Sequence, residues 1–274
     1  MGQLGQLVLT LPEGEPVVGV TTLGNEVYLL RQKSGDQVEV YDVITYRLQR
    51  CLTVPDLVGA NDMTSCERCR FLYISEHSAM CICRLDVQGA AIRWAVNDKP
   101  SGLSVNAAHN VLVTCPDVGK IKEFSSRGDI VRELTLPDDV ISPWHSIQTR
   151  SGQFVVCHGL FTDTVHRVCI LSEDGRHVVR WHGGQRGSDA GQYKGPVHLA
   201  VDNNEFVFVV DFNNRRVKLL SPALNYVCQV MSRDDLKWWP RRLRLDVNRR
   251  RLYVSETEIT SGKFTAGHVA VFSV

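Results

Sequence analysis

Short apolar runs bounded by polar turn residues dominate this chain, and they read as β-strands rather than helices. Six of them share one form: Val27-Tyr28-Leu29, Leu72-Tyr73-Ile74, Val111-Leu112-Val113, Phe154-Val155-Val156, Val207-Phe208-Val209 and Leu252-Tyr253-Val254. Their middle residues are spaced 45, 39, 43, 53 and 45 apart. Such a period suits one four-stranded propeller blade per copy. Proline stands twelve residues before the middle residue in four copies (Pro16, Pro100, Pro143, Pro196) and thirteen before it in another (Pro240), while the second copy has Asn61. Lacking an N–H for a ladder, proline marks the first residue of the innermost strand.

A third alternating run follows in every copy, as in Val38-Glu39-Val40, Cys81-Ile82-Cys83 and Val217-Lys218-Leu219. Turn residues then lead to an outer strand in copies one to five, beginning at Leu48, Ala91, Val131, Val178 and Tyr226. The sixth copy runs out at Val274 after its third strand. Leu9-Thr10-Leu11-Pro12 repeats the Leu52-Thr53-Val54-Pro55 and Leu134-Thr135-Leu136-Pro137 that close outer strands elsewhere, so this N-terminal strand is expected to complete the last blade. The predicted fold class is all-β: a six-bladed β-propeller of four-stranded antiparallel blades, one intact unit over residues 1–274. Ring closure would leave no open edge between first and last blades.

Composition narrows the partners. Lys+Arg 31 against Asp+Glu 30 gives a net charge of +1, so any nucleic-acid surface must be local rather than global. No apolar run approaches the roughly 18 residues of a membrane span, and the first residues lack a signal-peptide pattern. Nine cysteines, an odd number, then read as reduced thiols in a cytoplasmic or nuclear protein.

There is no recurring Gly-His and Trp-Asp pair of the WD40 kind and no kelch-like Gly-Gly pattern. The stretch Gly184 to Leu220 carries spaced glycines (Gly184, Gly187, Gly191), Gln192-Tyr193, Pro196, a run Leu199 to Asp202, a strand Val207 to Asp211, and Asn214, Arg216 and Val217. It resembles the NHL repeat, and the chain looks most like the NHL propellers of invertebrate tripartite-motif proteins, without RING, B-box or coiled coil. That resemblance implies a recognition module for single-stranded RNA or a protein partner, in relatives the target-recognition part of a ubiquitin ligase. The family usually has glycine two residues after the proline; His145, His198 and Arg242 stand there in copies four to six.

Aromatic and basic residues collect in the loops on one face of the second half: Trp144, His145, Arg186, Tyr193, Lys194, His198, Arg215, Lys237, Trp238, Trp239, Arg241, Arg242, Lys263 and Phe264. Interleaved planar and cationic side chains suit single-stranded nucleic acid, whose bases stack and whose phosphates need neutralising. Against this stand interblade packing of the tryptophans and the diluting Asp138, Asp139, Asp189, Asp234, Asp235, Glu256 and Glu258. His145 and His198 share one position at the channel mouth, and the equivalent positions of the other copies are Val18, Met63, Gly102 and Arg242. A catalytic zinc wants three protein ligands, so two histidines beside an arginine predict no metal. Cys66 and Cys69 lie at the opposite end of a strand from Cys81 and Cys83, about 20 Å away at ~3.3 Å per residue, which excludes a four-cysteine zinc.

Arg127-Gly128-Asp129 and Arg249-Arg250-Arg251 fall at hairpin turns, and Gly183 to Gly195 lacks phosphate-loop spacing. The reading is a recognition module, not an enzyme, with no catalytic residue, metal, small-molecule cofactor or membrane partner. The alternative is a metal-dependent lactonase- or lyase-like propeller enzyme using a channel site.

Overall fold

The computed structural model describes residues 5–32, 37–160 and 162–274. Its strands form six four-stranded antiparallel sheets. Blade 1 comprises Val17–Leu23, Glu26–Arg31, Gln37–Asp42 and Leu48–Thr53; blade 2 comprises Ala60–Cys66, Phe71–Glu76, Cys81–Asp86 and Ala91–Ala95. Blade 3 is Leu103–Val105, Val111–Cys115, Lys120–Phe124 and Ile130–Thr135; blade 4 is Pro143–Gln148, Phe154–His158, Val165–Leu171 and Val178–Gln185. Blade 5 is Pro196–Val201, Val207–Asp211, Arg216–Leu220 and Tyr226–Met231. Blade 6 runs Trp239–Asp246, Arg251–Thr260 and Lys263–Ser273, and takes its outer strand from Gln6–Thr10. The expected propeller and its borrowed closing strand are therefore both present.

Each blade is apolar on both faces of its second strand, so it can be covered only by its two neighbours. The core accordingly divides into six clusters, one per blade junction: blades 1 and 2 pack through Tyr28, Leu30, Leu72 and Ile74, and blades 6 and 1 through Tyr253, Val271, Val20 and Leu29. Tyr28, Tyr73 and Tyr253 are fully buried, as are Leu30, Leu72 and Ile74, and each of these aliphatic side chains contributes roughly 1.5–3 kcal/mol by leaving water. Innermost strands touch around the ring, the first against the sixth included.

Register at the channel departs from a fixed count. The second-strand residues Tyr28, Tyr73, Leu112, Val155, Phe208 and Tyr253 pair with Thr21, Thr64, Ser104, Ile147, Ala200 and Arg244, which lie seven to nine residues earlier. Unequal hairpin turns cause the variation. Five innermost strands also carry a bulge near their start, between Val17 and Gly19, Ala60 and Asp62, Pro143 and His145, Pro196 and His198, and Pro240 and Arg242. Pairing thus makes Gly19 and Asp62 the equivalents of His145, His198 and Arg242, where counting gives Val18 and Met63.

Candidate functional site

One layer of the channel gathers Asp62, His145, His198 and Arg242, all buried. The Asp62 carboxylate accepts hydrogen bonds from Met63 N at 2.9 Å and Leu103 N at 2.8 Å, and pairs with Arg242 Nε at 3.0 Å and His198 Nε2 at 3.5 Å. Leu243 N donates to His198 Nδ1 at 3.3 Å, so that nitrogen is bare and Nε2 carries the proton toward Asp62. His145 Nε2 donates to Leu103 O at 3.0 Å, leaving Nδ1 buried without a partner. The two imidazoles lie 3.9 Å apart. Gly102 makes room for this stack: a Cβ there would meet His145 Cδ2 at 2.7 Å.

Burial holds His145 well below the usual histidine range, with His198 adding to it, and burial also lowers His198 despite Asp62. For Asp62, burial opposes ionisation, yet Arg242 and His198 outweigh it and hold the carboxyl below the usual range. Near neutrality the layer is an ionised Asp–Arg pair beside two neutral imidazoles. Asp62, His145 and His198 are the group of possible metal ligands among the described residues, with one ligand atom from each within 4.8 Å of the others. All their polar atoms but His145 Nδ1 already have partners, and Arg242 adds a positive charge. The layer works as a polar plug tying blades 2 to 6 together.

The long loop before blade 5 has a structural explanation. Arg216 donates to the carbonyls of Ser188, Asp189 and Gln192 at 2.9–3.0 Å and pairs with Asp211 at 2.8 Å. Lys218 Nζ donates to Ala190 O and Gln192 O, and sits 4.2 Å from the Tyr193 ring centroid. Burial pulls this lysine down to about 8. Asn214 donates to Gly187 O and Asp211. The NHL-like residues Asp211, Asn214 and Arg216 therefore fasten a loop, and Tyr193, expected on the binding surface, is a fully buried interblade residue.

Among the remaining cationic and aromatic residues, three pairs form in blades 5 and 6. Arg215 lies over Trp239 at 5.0 Å, Lys237 over Trp238 at 4.5 Å and Arg241 over Phe264 at 4.7 Å. Trp144 packs half-buried against the core on both sides of blade 5. The Trp238 and His268 ring centroids lie 4.8 Å apart. Arg186 is exposed and Lys194 half-buried. Several diluting carboxylates are engaged locally: Asp235 caps Ser232, and Glu256 accepts from Trp238 N. Of the predicted residues, His145, His198 and Arg242 go to the plug, and Asp62 is the plug member that fixed spacing missed.

Elsewhere the thiols are free, Cys66 and Cys69 at one end of their hairpin and Cys81 and Cys83 at the other. Arg127-Gly128-Asp129 lies in the turn closed by Asp129 and Ser125. Arg249 is paired with Asp246 at 2.9 Å on the opposite face.

No protein-family model and no curated protein matches this chain, so the NHL resemblance rests on the residues around blade 5. Among solved structures the chain is similar to a virginiamycin B lyase from Staphylococcus aureus, 12% identical with a TM-score of 0.63 over 96% of this chain and 99% of that one. A streptogramin B lyase is likewise 12% identical, TM-score 0.64, over 99% and 86%. The β-propeller domain of Cps50 (Swd1) from Myceliophteria thermophila is 11% identical, TM-score 0.60, over 94% and 83%. At these identities the likeness establishes the six-bladed propeller. It also corrects the expectation that the chain is not an enzyme, because lyases stand among the propellers of this shape and the fold gives no ground for excluding catalysis.

Proposed function

We propose that this propeller is a recognition module that binds single-stranded RNA on the loop face of blades 4 to 6. The observation carrying this reading is a pair of arginines, Arg215 and Arg241, each stacked on an aromatic ring with a buried guanidinium nitrogen lacking a partner. Among the described residues neither has a carboxylate within the 4.0 Å of an ion pair. Phosphates pair with guanidinium groups that lack a counter-ion, and guanidinium planes accept stacked bases. Arg186 and Lys194 extend the positive surface toward blade 4.

A mobility shift with short single-stranded RNA pools at two salt concentrations tests it. Binding that weakens with salt and falls about tenfold in Arg241→Ala fits the proposal. Salt-insensitive binding, or no shift at micromolar protein, rejects RNA, and capture of an acidic peptide instead would assign a protein partner.

A second reading, a metal-dependent propeller enzyme, is favoured by the proximity of Asp62, His145 and His198 and by the lyases of similar shape. Metal analysis of the purified protein decides it. Stoichiometric metal lost in His145→Ala would move the function to the channel.

A further inference from the structure

Below the plug, the channel widens into a cavity of about 170 Å³ whose lining includes Thr64, Ser65, Ser104, His145, His198 and Arg244. It adjoins an opening on the face of the hairpin turns, which shares Arg244 and Leu245 with it and adds Thr22, Glu67, Asp246 and Arg249. Arg244 donates through Nε to Thr22 Oγ1 at 3.0 Å and through Nη2 to Thr22 O at 3.3 Å, and Nη1 has no partner among the described residues. The carboxylates facing it are committed elsewhere. Asp246 pairs with Arg249 at 2.9 Å, while Glu67 accepts from Gly24 N at 2.8 Å and lies 3.6 Å from Arg70. No described carboxylate stands within 4.0 Å of Arg244.

The hydroxyl inventory points the same way. Thr21 is bonded to Ser65, Ser65 donates to Thr22 O, and Ser104 donates to Ser146 O. The Thr64 hydroxyl has no partner among the described residues. A guanidinium and a hydroxyl donor thus remain open at one half-buried cavity whose far end is closed by the two imidazoles. Burial pulls Arg244 down from the usual arginine range, which a bound anion would counter.

We infer that the turn-side channel is a binding site for a small monocarboxylate, with Arg244 holding its carboxylate and Thr64 donating a second hydrogen bond. The open Nη1 of a guanidinium that meets no carboxylate of the fold matches one carboxylate in charge and donates to it directly. The volume sets the size: an engineered cavity of roughly 150 Å³ holds benzene, so six or seven non-hydrogen atoms fit. At about 0.7 kcal/mol per non-hydrogen atom, within the range for small ligands, six atoms give a dissociation constant of about 1 mM.

Titration calorimetry and thermal-shift measurements on the whole chain, with lactate and butyrate against lactamide and butyramide, test the site. The acids should bind at least tenfold more tightly than the amides, and Arg244→Gln should remove that preference. Thr64→Leu, which fills the cavity and keeps the arginine, should abolish binding with the melting profile retained, and decides the matter if Arg244→Gln does not fold. Equal binding of acid and amide, no binding of either acid at ten times the expected constant, or unchanged binding in Thr64→Leu overturns the proposal.

Discussion

Arg242 and Arg244 stand two residues apart on one strand, yet one meets a carboxylate and the other does not. Arg242 is buried against ionised Asp62, and its remaining donors reach Asn61 O and Arg241 O. Among the described residues the Arg244 side chain hydrogen-bonds only to Thr22. On the loop face Arg215 and Arg241 resemble Arg244, stacked but without a counter-ion. A satisfied charge holds blades together, whereas an unsatisfied one is a place for a ligand.

The largest expected effect comes from breaking the satisfied pair. Asp62→Ala strands Arg242 in the plug and should cost about 4 kcal/mol of stability, read by denaturant unfolding. Replacing both residues, Asp62→Leu with Arg242→Met, should recover most of it; no recovery would show that the carboxylate acts through its backbone hydrogen bonds instead. Arg216→Ala removes the clamp on the loop before blade 5 and should cost about 3 kcal/mol, with new protease cleavage between residues 186 and 195. An uncleaved loop would show that Lys218 suffices.

Acidification gives a smaller effect with a fixed sign. His145, His198 and His158, the last pulled down to about 4 by burial and Arg167, are neutral in the fold where the unfolded chain protonates near its ordinary pKa. The unfolded state then binds more protons, so stability falls as pH drops below about 6.5. Between pH 7 and 6 the loss should be about 0.7 kcal/mol for His158, with His145 and His198 adding to it in the same direction. Asp62 does not offset this, since its contribution persists until pH falls below the ordinary carboxylate range. Flat stability across that interval would mean that these imidazoles take up protons in the fold as they do in the unfolded chain. Arg241→Ala is the smallest change, about tenfold in RNA affinity with little loss of stability.

Strand order, blade number and the closing strand were legible because β-runs and prolines repeat in sequence. The channel layer was only half legible. His145 and His198 sit in blades whose hairpins fit the average spacing, while Asp62 and Gly19 are displaced by one residue through turn length. A turn-by-turn alignment of the hairpins could have found Asp62. The inward course of Tyr193 had no local signal, because it depends on Lys218 and His182 from other strands.

Ultraviolet cross-linking of a short single-stranded RNA, with the adducts mapped by mass spectrometry, tests the binding-face assignment most directly. Adducts at Trp238, Trp239 or Phe264 that disappear with added salt are the predicted result. Adducts confined to the hairpin-turn face or the exposed outer-strand Trp181, or none at saturating RNA, would contradict it.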